Sequence, residues 1–461
     1  MTSRQHVKDK KNTTLEGNTM RQIIRPLSAL ALASILALAG GQMAFAASIN
    51  DKGAVVADNE DDIVAAAITK VVQMPQGTAV PTALFTFDVD AVTVDDVAAA
   101  QANPAMPTID PVDLTLTSAV TPVGPTSGST SYYVQSDNIL AGVDFPHAGV
   151  YVYTVTEEEN TNGGTGGIDT DTAHQTLSYS QASYTMTVYV DNTKAGGTYV
   201  YAVGVEADTK DDGTVATGKV DPTPGGNGST YTYSQMAFTN TYVHTNGAAD
   251  PGDPDPYTDS TLSVSKNVDG LFASQDQYFD FTLTLAVPTE VTPVPAYYKA
   301  YVVGSTGDVI DPANNVGAAD AALIGTDQTT NGYSYIEVST SDPTDIMLKH
   351  GQTLVFVNTP VGTGYTVTEN DPTGYVPSFL VTTNGDTPLE STQGTLSTEL
   401  STGDQLVGEA TNATVFTNTR DLITPTGLSM SVMPFVGLIG LAGAGLVAFV
   451  VVKSRKRVAV G

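Results

Sequence analysis

The chain has 461 residues, no cysteine and no tryptophan, and 49 acidic residues against 19 basic ones give a formal net charge of −30. Without cysteine there are no disulfide braces, thiolate metal sites, cysteine nucleophiles or Cys-Gln thioesters. The surplus negative charge repels nucleic acid and anionic lipid.

In chain order, Arg21 and Arg25 precede an apolar stretch from Leu27 to Ala39, followed by Gly40, Gly41 and Ala44-Phe45-Ala46. This layout predicts a secretory signal peptide over 1–46, cut after an A-x-A site, so the chain is expected to be exported. Met20 stands where such a signal normally starts, so 1–19 read as an extension from a misplaced start codon. Between Ala47 and Thr426, nine basic residues face forty-seven acidic ones, a net of −38.

From residue 47 to 421 the chain is rich in Thr, Val, Tyr, Gly and Pro, and helical periodicity is nearly missing. Period-two runs such as Tyr151 to Thr156, Tyr184 to Val190 and Phe279 to Leu285 predict half-buried strands between Gly, Asn, Asp and Pro turns. The expected fold class is all-β, with two tandem Ig-like β-sandwiches over 47–245 and 261–421. An acidic, Pro-stiffened linker over 246–260 joins them. Its aspartates miss the Asp-x-Asp-x-Asp-Gly spacing, and Asp208 to Gly213 lacks the loop glutamate, so no metal and no cofactor is expected.

The two halves are weak repeats of each other. The first contains Ile68-Thr-Lys70-Val-Val72, Tyr151 to Glu157 and Phe238-Thr-Asn240; the second contains Leu262 to Val268 with Lys266, Tyr365 to Glu369 and Phe416-Thr-Asn418. Residues two apart share a strand face. Alternation therefore points Lys70, Glu157 and Asn240, and again Lys266, Glu369 and Asn418, to the apolar side. Glu158 has the opposite parity. Isolated charges cost several kcal/mol or more to bury, so their presence needs a chemical reason. Burial lowers the Lys pKa and raises the Glu pKa, giving a neutral amine beside a protonated acid. The amine can then attack the Asn carbonyl while Glu157 or Glu369 shuttles protons and ammonia leaves. The product is an intramolecular Lys-Asn isopeptide bond, formed once and without a cofactor, so the chain is not expected to be an enzyme in the turnover sense.

The chain closes with Pro425-Thr426-Gly427, a predicted transmembrane helix over 432–452 and the basic tail Lys453-Ser-Arg455-Lys456-Arg457, within a segment 422–461. This layout resembles the sorting signal of Gram-positive surface proteins, in the variant used by pilins. The resemblance implies membrane anchoring before sorting and cleavage by a sortase between Thr426 and Gly427. Together with Gly149 to Glu158, Phe281 to Leu285, Leu348 to Glu369 and the Phe-Thr-Asn-Thr strand ends, the chain resembles streptococcal-type major pilins built of pilin isopeptide-linkage domains. That family places the Lys on the first strand, the Asn on the last and the Glu between them, which matches the six residues above.

The resemblance implies a cell-wall or pilus location, with peptidoglycan or other pilin subunits as covalent partners. The family joins the cut Thr to a lysine shortly before the first Asn strand. Here no lysine lies between Lys219 and Asn240, and Tyr233 occupies the corresponding stretch. Lys219, Lys210 and Lys194 are the nearest candidates. The alternative reading is a wall-anchored monomeric adhesin that binds a host surface ligand through loops at Asn160 to Gly167 and Ala313 to Thr330. A secreted enzyme is disfavoured, because there is no Gly-x-Ser-x-Gly elbow and no histidine pair at metal-ligand spacing.

Overall fold

The computed structural model describes residues 48–49, 54–159, 168, 174–225, 232–245, 260–310, 324–326, 334–388 and 391–420. The expected signal peptide, nearly all of the linker, Thr426 and Gly427, the membrane span, the 160–167 loop and most of the 313–330 loop lie outside these residues. Among the described residues the chain is all-β and contains no α-helix. The predicted strands are present at Gly149–Glu157, Ser183–Asn192 and Tyr278–Ala286.

Among the described residues four sheets form, a nine-stranded one and a five-stranded one in each half. In the first half both sheets turn their apolar parity inward onto one core, from Phe85, Tyr153, Met186 and Val203 on one side to Val72, Met74 and Phe238 on the other. In the second half Leu262, Phe356 and Phe416 face Phe281, Leu283 and Val367. Burial alternates along these strands: in Phe281-Thr-Leu-Thr-Leu the apolar residues are buried and the threonines are not. That is the pattern of a sheet with one face on the core.

The first and last long strands of each half are direct neighbours, paired in parallel. Thr69–Pro75 lies against Ala237–His244 with Lys70 opposite Phe238, and Ser260–Asp269 lies against Ala413–Thr419 with Lys266 opposite Phe416. Ser260, placed in the linker by the sequence reading, already belongs to a strand because it pairs with Val357.

The halves also meet directly, at a joint the linker composition did not signal. Thr245 bridges Pro360, and the Val361 amide donates to the His244 carbonyl at 2.8 Å. Glu409, from the second half, grips the first at two points, accepting from the Ala79 amide at 2.6 Å and lying 2.6 Å from His244 Nδ1. Gly362 is required here: its φ is +83°, and a Cβ would stand 2.5 Å from Pro75 Cβ.

Candidate functional site

Each core holds one Lys-Glu-Asn cluster, built from three strands. The parallel pair supplies the Lys and the Asn two register positions apart on the same face, and the opposite sheet supplies the Glu. In the first half, Lys70 Nζ lies 2.8 Å from each oxygen of Glu157, and Asn240 Nδ2 donates to Glu157 Oε1 at 2.8 Å. In the second, Lys266 Nζ lies 2.9 Å from Glu369 Oε1, and Asn418 Nδ2 donates to that same oxygen at 2.6 Å. Because each amine and its amide nitrogen touch one shared oxygen, they lie within about 6 Å of each other. All six side chains expected from the sequence are thus together in two groups of three, and both Lys-Glu pairs have no exposed side-chain surface.

The surroundings are apolar. Lys70 Nζ sits 4.7 Å from the centroid of Phe85, and Lys266 Nζ sits 4.6 Å from Phe279 and 5.9 Å from Phe281. Burial pushes both lysines down to about 8, against the attraction of Glu157 and Glu369 respectively. Burial likewise pushes both glutamates above the ordinary carboxylate value, opposed by the partner lysine and by the Asn amide. Each pair is therefore moved toward the neutral amine and neutral acid from both sides.

The two clusters differ at the amide carbonyl. Asn240 Oδ1 accepts the Ser180 backbone N–H at 2.7 Å, so a donor already polarises the carbon that an amine would attack. Ser180 is held in turn by Asp211, whose Oδ1 accepts the Ser180 hydroxyl at 2.5 Å and the Thr239 amide at 2.8 Å. Asn418 Oδ1 and Glu369 Oε2 have no hydrogen-bond partner among the described residues. Ser180 escaped the sequence reading because a backbone N–H carries no residue signature.

The fallback acid Glu158 stays outside the core, its carboxyl raised chiefly by neighbouring Asp88. The acceptor candidates lie elsewhere. Lys194 occupies the turn between Ser183–Asn192 and Thr198–Thr209 with its side chain 92% exposed, Lys210 opens the next turn, and Lys219 pairs across the sheet with Glu206. Tyr233 stacks on Tyr133 with ring centroids 4.8 Å apart. No group of three or more metal-ligating side chains occurs among the described residues.

A pH test separates the reacted from the unreacted cluster. Asn240→Ala leaves Lys70 an amine, held near 8 in the folded chain against an ordinary 10.5. Between those values the unfolded chain binds more protons than the folded one, so stability rises with pH. Relative to the parent, urea melts of Asn240→Ala are expected to gain about 3 kcal/mol from pH 8 to 10.5. A parallel pair of pH profiles over that window would show that the parent lysine is also an unreacted amine. On the acid side the raised Glu157 works the other way, and stability falls as pH climbs from 4.5 through its folded value.

Residues 66–243 match the family model described as the Spy0128-like isopeptide containing domain, and residues 260–420 match a domain of unknown function, DUF7601. The first match contains Lys70, Glu157 and Asn240; the second contains Lys266, Glu369 and Asn418. A curated protein named Pilin, from Streptococcus pyogenes serotype M1, is 30% identical over 192 residues, covering 41% of this chain and 48% of that protein. The chain thus spans about half the length of the curated relative it matches. Among solved structures, the major pilin of Streptococcus pyogenes is 19% identical, with 78% of this chain and 100% of that chain covered at a TM-score of 0.29. The major pilin protein T3.2 of Streptococcus pyogenes is 20% identical, with 77% and 98% covered at a TM-score of 0.27.

Proposed function

We propose that this chain, a relative of the streptococcal backbone pilins, is the shaft subunit of a covalent surface pilus and braces each of its two Ig-like sandwiches with a self-formed Lys-Asn isopeptide bond. The observation that carries the brace is the twice-repeated placement of a fully buried lysine and an asparagine amide on one glutamate oxygen.

The step is an acyl transfer. Inside the apolar core a proton passes from the Lys ammonium to the carboxylate, leaving a free amine and a neutral acid. Lys70 Nζ attacks Asn240 Cγ, and in the first site the Ser180 N–H steadies the charge that develops on Oδ1. Glu157 relays a proton from Nζ to Nδ2, the Cγ–Nδ2 bond breaks and ammonia leaves. One amide replaces another, and no water or oxidant is consumed. Lys266, Asn418 and Glu369 play the same parts in the second half.

The bond would link neighbouring parallel strands at the two sequence ends of each sandwich, so tension passes between the termini without unzipping the sheets. A chain so built suits a filament exported through the signal over 1–46, held in the membrane by 432–452, and cut by a sortase between Thr426 and Gly427. Wall extracts of the native organism, boiled in SDS, are expected to show a ladder of multimers reactive to antibody against this chain. A single wall-linked band would remove the pilus and leave the monomeric adhesin.

A further inference from the structure

The strand directions place the two ends of the molecule. Pro75 and His244, the last residues of the parallel pair in the first half, are at the joint with the second half. Ala83–Val94 therefore leaves the joint, Gly149–Glu157 returns toward it, and Ser183–Asn192 leaves again, with Tyr151 level with both Val94 and Val188. Those ten residues carry the chain about 30 Å outward, and the turn beyond them holds Lys194. Lys219 and Lys210 lie nearer the joint: Lys219 pairs with Glu206, which is level with Thr185, and Lys210 follows Thr209, which is opposite Ser183.

In the second half Ser260–Asp269 and Ala413–Thr419 both run away from the joint, and the Arg420 amide donates to the Asp269 carbonyl at the far end. From Arg420 the six residues to Thr426 reach at most about 20 Å. Arg420, after which the chain continues into the sorting signal, and Lys194 are thus at opposite ends of the described residues. The remaining described lysines do not compete: Lys70 and Lys266 are buried, Lys299 lies within the Tyr297–Val303 strand, and Lys349 is opposite Tyr278 at the same far end as Arg420. Joining like ends closes a pair, whereas joining unlike ends of successive copies extends without limit.

The same two extremities carry exposed apolar side chains. Leu271 and Phe272 are 81% and 58% exposed in the turn beside Arg420. Ile63, 51% exposed, lies on the segment whose Glu60 accepts the Lys194 amide at 2.8 Å.

We propose that Lys194 is the polymerisation acceptor, taking the Thr426 acyl group of a second copy whose Leu271-Phe272 end docks beside Ile63. This rests on the pilus reading. The sortase cysteine displaces the Gly427 amine and holds Thr426 as a thioester; Lys194 Nζ attacks its carbonyl, the thiolate leaves, and an amide joins the two chains. One peptide bond is lost, one isopeptide bond is gained, and the amine's proton goes to the departing groups.

The test compares wall extracts of the native organism carrying Lys194→Arg, Lys210→Arg or Lys219→Arg. Lys194→Arg is expected to collapse the ladder to the single-subunit band, at least tenfold, while the other two keep it. A branched peptide joining Lys194 to Thr426 should be found in digests of the parent polymer. A melting temperature equal to the parent's, and an unchanged deficit below its own encoded mass, exclude misfolding of Lys194→Arg as the cause. A ladder that survives Lys194→Arg, or a branch on another lysine, overturns the assignment and leaves the pilus intact. No ladder in the parent overturns the pilus itself, and the assignment with it.

Discussion

Intact mass of the purified chain from residue 47 to 421 is expected to fall about 34 Da below the encoded value, one ammonia for each cluster. Glu157→Ala and Glu369→Ala should each restore about 17 Da, because losing the group that moves both protons slows such a step by about 10²–10⁴-fold. In samples taken early, the first ammonia should come from the 70–240 pair. There Ser180 already polarises the amide, whereas Asn418 Oδ1 has no such donor among the described residues. A parent mass equal to the encoded one would remove the bonds altogether, and the buried clusters would then be ordinary ion pairs.

The second large effect is on stability. Each bond closes a loop of about 170 or 150 residues, and constraining the unfolded chain to that extent stabilises by about 5 kcal/mol in the chain-entropy model. For a unit of this size that corresponds to about 10–20 °C in Tm. Asn240→Ala keeps the Lys70-Glu157 pair but cannot form the bond, so calorimetry should resolve a first-half transition lowered by that amount. The second-half transition should be unmoved, since Lys266, Glu369 and Asn418 share no atoms with the first cluster. Asn418→Ala should do the reverse. A shift of under about 3 °C in either variant would mean that no covalent loop had been lost.

The match to a Spy0128-like isopeptide containing domain spans Lys70, Glu157 and Asn240, whereas the second half matches a family without a described function. Chemistry in the second half therefore rests on Lys266, Glu369 and Asn418 themselves. Their geometry repeats that of the first cluster without its carbonyl donor. The mass of Glu369→Ala is for this reason the more informative of the two.

Much of the site was legible in the order of residues because strand parity is local: once Tyr151 and Val155 face inward, Glu157 must, and Phe238 carries Asn240 with it. The same rule placed Lys70 with Ile68 and Val72, and kept Glu158 out. What parity cannot state is which strand lies beside which. That Thr69–Pro75 pairs in parallel with Ala237–His244, that Glu157 reaches them from the opposite sheet, and that Ser180 lends its N–H are outcomes of sheet closure between residues 60 to 170 apart. The Glu409 clamp and the remoteness of Lys194 from the joint are of the same kind, because both depend on how strands are laid end to end. Inward and outward were written in the sequence two residues at a time, and neighbours across the core, near end and far end were decided only when the sheets packed.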